Sequence, residues 1–287
     1  LNNLKLTILM AALTGLLMAV GSLFGGRSGM SVMLAVSIIM NFISYWYSDK
    51  IVLNMYGAKP VAAHEAPELI RMVAGLAQKA KLPMPKVYII NSDVPNAFAT
   101  GRDPEHAAVA VTSGIMRALQ PEELEGVIAH ELAHIKNRDT LISTVVATIA
   151  GIITMIANIA QWTAFLGLGR SDEDNNGLAG LVQLIFLIVL APLAATLIQL
   201  CISRTREFEA DATGAEISGK PLALASALQK IEYYAKHRPL GEANAATSHL
   251  FIVNPFRGGD WITSLFSTHP STAERVARLQ EIASKRR

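Results

Sequence analysis

Four long apolar blocks constrain this chain more than anything else in it. Leu4–Phe24 has 21 residues, Met30–Tyr47 has 18, Leu141–Leu168 has 28 and Leu178–Ile202 has 25. A bilayer core takes about 20 apolar residues as helix, so four spans are expected. Tyr45, Trp46 and Tyr47 read as an interfacial aromatic belt closing the second block. The third block is over-long and contains Asn158 and Gln161, so its span is read as Leu141 to Gln161 with an interfacial tail. A cleaved signal peptide also presents an apolar run near the N-terminus. Here the run is long, no A-x-A site follows, and a second block begins after only Gly25–Gly29. Two spans joined by so short a turn make a helical hairpin.

The blocks explain the composition. Charged residues make up 17% of the chain and hydrophobic residues 51%, where a soluble domain carries roughly 25% charge. Net charge is +2, and no basic cluster with interleaved aromatics is present, so nucleic acid is not an expected partner. The single cysteine, Cys201, excludes an intrachain disulfide and a cysteine-based metal site. A metal would have to be held by histidine and carboxylate. Lys5, Lys50, Lys136, Arg138, Arg204 and Arg206 flank one side of the spans, while Gly169–Gly177 carries Arg170 against Asp172, Glu173 and Asp174. Positive flanks stay cytoplasmic, which places both termini and most of the polar chain there.

The polar remainder reads as α+β. Pro67–Lys81 is an amphipathic helix with Leu69, Ile70, Met72, Val73, Leu76 and Ala77 on its apolar face. Lys86–Ile90 and Ala107–Thr112 read as strands of a small sheet of about three. Pro121 opens a helix that continues to about Arg138, with Glu122, Glu123 and Glu125 in its first turns. Ser203–Ile217, Pro221–Lys236 and Ser271–Lys285 are further helices, and Arg238–Asp260 is a long loop. The expected division is a transmembrane hairpin over 1–47, a catalytic part over 48–140, a second hairpin over 141–202 and a second catalytic part over 203–287.

His130-Glu131-Leu132-Ala133-His134 lies inside the Pro121 helix. Residues four apart share a helix face, so both imidazoles can reach one Zn²⁺. Glu131 is about 100° from His130 around the helix, near enough to act on a water at the open position of the metal. A strand would send Glu131 to the opposite side. His and Glu are costly in the otherwise apolar stretch Val127–Ile135 unless they have a task. A third ligand is sought in Arg206-Glu207-Phe208-Glu209-Ala210-Asp211. Glu207 and Asp211 share a face, which suits a ligand and an acceptor for a free imidazole N–H. Glu209 is the alternative ligand, and a plain solvated charged turn is the alternative to both.

HELAH followed by Ile-Lys-Asn-Arg-Asp, then Ser203-Arg-Thr-Arg-Glu-Phe-Glu-Ala-Asp211, then Thr268-His269-Pro270, resembles the HtpX family of bacterial membrane zinc metalloproteases. Asn96-Ala97-Phe98-Ala99-Thr100-Gly101 is similar to that family as well, and the apolar blocks sit in the same places. The resemblance implies four transmembrane helices carrying a cytoplasmic, mainly helical zincin-type metalloprotease domain with a small β-sheet, in the bacterial inner membrane. It implies an endopeptidase of membrane-protein quality control, tied to heat or envelope stress, with one Zn²⁺ per chain. Its ligands would be His130, His134 and Glu207, its base Glu131 and its supporting acid Asp211. His269 matches a His-Pro position that would contact substrate or the developing oxyanion, or serve as a structural histidine before Ser271.

Spacing along the chain adds placement. His134 is seven residues before the third block and Glu207 five after the fourth. If both helices run on without a break, the site stands roughly 7–11 Å from the membrane. Substrate backbone is expected to add to the strand Ala107–Thr112, with Val109 and Val111, helped by Asn96 and Ala97; an ordinary buried strand is the plainer alternative. The substrates would be unfolded or membrane polypeptides. A zinc transporter and an intramembrane protease would bury the motif in a span, whereas here Glu122, Glu123, Glu125, Lys136 and Arg138 flank it. A non-catalytic scaffold would have no need of Glu131.

Overall fold

The computed structural model describes residues 2–149, 204–237, 252 and 270–285. Helix α1, Asn2–Met55, is broken at Gly26, whose φ of 54° and ψ of −139° are open to glycine and costly to other residues. The two arms lie side by side: Asn41 donates to Thr14 Oγ1 (3.0 Å) and to the Met10 carbonyl (3.4 Å). The reversal therefore happens at one residue rather than over a turn from Gly25 to Gly29. The second arm also runs on past Tyr47 to Met55. Val52 and Leu53 keep it helical and useful, because they are buried against Ile90, Phe98 and Ala110 of the sheet.

Four strands form that sheet: β1 (Lys59–Pro60), β2 (Lys86–Ile90), β3 (Ala97–Thr100) and β4 (Ala108–Thr112), in the order β1-β2-β4-β3. β2 and β4 are parallel, and the other two pairs are antiparallel. β3 is an edge. Side chains alternate between two apolar layers, as strand geometry requires. Val87, Ala97, Ala99, Val109 and Val111 face the main core, while Ile90, Phe98, Ala108 and Ala110 face α1.

Helix α2 (Pro67–Ala80) and the central helix α4 (Pro121–Lys136) supply the main core; the short α3 (Ser113–Ala118) links β4 to α4. Pro121 sits at the first helical position of α4, and the Glu123 carboxylate accepts from Gln120 N–H (2.8 Å). Ser226 and Lys230 also donate to Glu123 at 2.7 Å each, which pins the start of α4 to α7 (Pro221–His237). After α4 the chain turns at Arg138 and begins α5 (Thr140–Ile149), so α4 does not run unbroken into the third apolar block. Helices α6 (Arg204–Ser218) and α8 (Thr272–Ser284) complete the described elements.

Among the described residues one helix, Gly25–Met55, is long and apolar enough to cross a bilayer; the first block holds the shorter apolar helix Leu6–Ala19. Most of the third block and all of the fourth, with the Arg238–Asp260 loop, lie outside the described residues apart from Ile252. The described residues are mostly helical with one small sheet.

Candidate metal centre

His130 and His134 lie one turn apart on α4, with their Nε2 atoms 3.3 Å from each other. α6 crosses α4 and brings the Glu207 carboxylate 3.8 Å from His130 Nε2 and 3.6 Å from His134 Nε2. Tetrahedral zinc, with bonds near 2.0–2.1 Å, sets its ligand atoms about 3.4 Å apart. Two imidazoles and a carboxylate at these spacings therefore fit one such ion, and all three donor atoms fall within 4.8 Å of one another.

The crossing needs Gly214. A Cβ there would stand 2.8 Å from His130 Cα and 2.9 Å from His130 N. Glu207, Asp211, Gly214 and Ser218 follow at helical spacing and are all buried, so one stripe of α6 delivers a carboxylate, a second carboxylate and a gap.

Each imidazole is held from behind. His130 Nδ1 is 3.0 Å from Asp211 Oδ1, and His134 Nδ1 is 3.1 Å from Asp139 Oδ2. A carboxylate that accepts Nδ1–H leaves the Nε2 lone pair free for a metal. Asp211 is gripped in turn by Arg275 of α8, which donates from Nε (2.8 Å) and Nη2 (2.6 Å). Arg275 is 1% exposed; its Nη1 donates to the Ile252 carbonyl (2.8 Å) and lies 3.6 Å from Glu207.

Glu131 turns toward the sheet. Its Oε2 accepts the Ala99 N–H of β3 at 2.8 Å. Asn96 exchanges backbone and side-chain bonds with Thr112, so antiparallel alternation turns the backbone groups of Ala97 and Ala99 to the side away from β4, where Glu131 lies.

Charge and burial tune these groups in opposite directions. Burial pushes the Glu131 carboxyl above the usual carboxylate range, against the pull of both imidazoles and the Ala99 amide. Burial works the other way on His134 and is outweighed by Asp139, Glu207 and Glu131, which raise its pKa to about 9. Burial would raise Asp211, but Arg275 and His130 hold it low. Around His134 there is thus a surplus of negative charge of the kind that a bound cation neutralises.

A family model described as peptidase family M48 matches residues 63–283. The chain belongs to peptidase family M48, in its HtpX group. A "Protease HtpX homolog" of Pyrococcus furiosus is 58% identical over 96% of this chain and 94% of the relative. Relatives of the same name from Methylibium petroleiphilum (56% identical over 99% of each chain) and Sulfurihydrogenibium sp. (54% over 99% of this chain and 97% of the relative) are similar along their whole length. A crystal structure of S. mikatae Ste24p aligns with a TM-score of 0.49 and 18% identity, over 94% of this chain and 62% of that one. This M48 chain is a metalloprotease, and its family implies a metal.

The structure thus brings His130, Glu131, His134, Glu207 and Asp211 into one cluster. Glu209 points to solvent on α6. His269 lies outside the described residues. Val109 and Val111 must be corrected: β4 is hydrogen-bonded by β2 on one side and β3 on the other, so no substrate strand can add to it. Both valines are 0% exposed in the main core. Among the described residues β3, which contains Ala97 and follows Asn96, is paired on one side only, as is β1 at the other end of the sheet.

Three contributors escaped the sequence reading: Asp139, the Ala99 amide and Arg275. Arg275 left a trace. It shares the buried face of α8 with Thr272, Val276 and Leu279, where an arginine is out of place unless paired.

Proposed function

We propose that this metalloprotease is a membrane-anchored zinc endopeptidase that cuts misfolded or damaged membrane proteins on their cytoplasmic side. One observation carries the reading: His130, His134 and Glu207 converge on a single point beside Glu131, whose carboxylate reaches the Ala99 N–H of β3. In this reading one Zn²⁺ per chain is held by His130, His134 and Glu207, and Asp211 orients His130. The chemistry supplied by a bound zinc ion is polarisation of the scissile carbonyl and acidification of a water. Glu131 takes the proton of the attacking water and passes it to the amine as the C–N bond breaks. Its raised pKa suits both halves of that task, and the Ala99 N–H holds its carboxylate in place. An extended substrate backbone would lie along the side of β3 away from β4, at Ala97, with Asn96 fixing the start of the strand through its bonds to Thr112. Unfolded polypeptide supplies such a strand more readily than a packed domain does. His269, as a hydrogen-bond donor to the developing oxyanion, belongs to the same proposal.

The membrane part rests on α1 and on the apolar blocks. Val32, Ile38, Ile39 and Phe42 are 57–60% exposed, a large apolar surface that lipid would cover. Residues 1–47 and 141–202 would form the two hairpins, and 48–140 and 203–287 the two parts of a catalytic domain facing the cytoplasm, in the inner membrane of a bacterial cell.

Glu131→Gln tests the chemistry. The variant should keep its zinc and lose cleavage of an unfolded protein by at least 10²-fold, the usual scale of general-base loss. Cleavage at the wild-type rate by zinc-loaded Glu131→Gln would overturn the assignment.

A further inference from the structure

We propose that Asp139 is a positioning residue of the metal centre, holding His134 in the orientation and tautomer that turn Nε2 toward the ion. The inference rests on reading His130, His134 and Glu207 as the metal-holding set, and it concerns what keeps one of them aimed.

Several contacts converge on Asp139. Its carboxylate is 3.1 Å from His134 Nδ1, and the residue is 5% exposed. Its backbone N–H donates to the His134 carbonyl at 3.0 Å, so main chain and side chain grip the same residue. That fold-back is made by Arg138, which takes the left-handed conformation (φ 59°) seldom used by residues other than glycine. The bonds Asp139 N–H to the His134 carbonyl and Arg138 N–H to the Ile135 carbonyl (3.1 Å) close α4 as a Schellman cap, and the cap sets the Asp139 side chain beside the ring of His134. On its other side, the Asp139 carbonyl accepts from Ser143 N in the first turn of α5 (3.4 Å). One residue further, Thr144 Oγ1 meets Thr100 Oγ1 at 2.9 Å, at the end of the edge strand. Asp139 is thus built into the junction of α4 and α5.

The chemistry follows from the geometry. By accepting Nδ1–H, the carboxylate fixes which nitrogen of His134 keeps its lone pair and makes that nitrogen a stronger donor. Without the acceptor, the ring is free to rotate or to take the other tautomer. Loss of such a partner typically costs 10–100-fold in metal affinity.

The test uses the full chain in detergent, loaded with zinc, with release to a chromogenic chelator timed for wild type, Asp139→Ala and Asp139→Asn. Cobalt-substituted samples report the ligand field by visible absorption, and far-ultraviolet circular dichroism of the metal-free proteins reports the fold. Asp139→Ala should release zinc about 10–100-fold faster with an altered cobalt spectrum. Asp139→Asn keeps an acceptor and loses the charge, and should release it several-fold faster. Wild-type release and spectrum in both variants would overturn the proposal. If Asp139→Ala does not fold, release from the isosteric Asp139→Asn at the wild-type rate overturns it alone. A wild-type chain that takes up no zinc would sink the metal reading together with this one.

Discussion

Removing the Arg275 guanidinium leaves the buried Asp211 carboxylate with His130 alone and takes away its charged partner. Stranding a buried ion in this way costs about 3–5 kcal/mol. Arg275→Ala should therefore lower the denaturation midpoint of the metal-free protein by that order. Arg275→Lys should recover little, because one ammonium cannot make the two parallel bonds that Arg275 Nε and Nη2 make to Asp211. A denaturant titration of the three proteins checks both, and a midpoint for Arg275→Lys equal to wild type would count against the fork geometry. The residues at this scale divide by distance along the chain. His130, Glu131 and His134 were legible because one helical turn holds their whole relationship. Arg275 was not, because it reaches Asp211 across 64 positions and its partner cannot be read from its neighbours. Asp139 follows His134 by only five residues, but its use depends on the left-handed turn at Arg138.

At the scale of elements, the contact of α4 with α6 decides whether the centre exists. A methyl group at position 214 would press on the backbone of His130. Gly214→Ala should push α6 away, cost about 1–3 kcal/mol as an overpacked contact, and weaken metal binding by moving Glu207. Calorimetric melting with and without zinc separates the two effects; a variant that melts and binds zinc like wild type would show that the helices have slack. The helices themselves were legible from apolar periodicity and from Pro67, Pro121 and Pro221 at their starts. The order of the strands was not. Ala107–Thr112 reads as a strand in sequence, but its central place depends on β2 and β3 flanking it, and pairing order is a property of the whole sheet. The short β3 was visible as a motif rather than as a strand. Similarly, the aromatic run at Tyr45–Tyr47 suggested an end to α1, whereas Val52 and Leu53 carry it on because the sheet gives them something to cover.

The whole molecule is organised around a long interruption. The motif helix and the helix bearing Glu207 are separated by about seventy residues that include the third and fourth apolar blocks. Those blocks were the most legible feature of the chain, yet nothing local in them announces that the parts before and after must meet. An ion shared by His134 and Glu207, as proposed, would do more than chemistry: it would staple the two ends of the interruption together, as a disulfide closes a loop. Closing so large a loop in the native state alone ties folding to metal supply by mass action. Chelation should then lower the melting temperature of the full chain, and at saturating zinc about 2.7 kcal/mol of stability should return when free zinc reaches a hundred times its dissociation constant. A melting temperature indifferent to chelator would break the link. If the proposed zinc is bound there, such coupling would make it a licence to persist: a copy without its ion would be both inactive and the easier one to unfold.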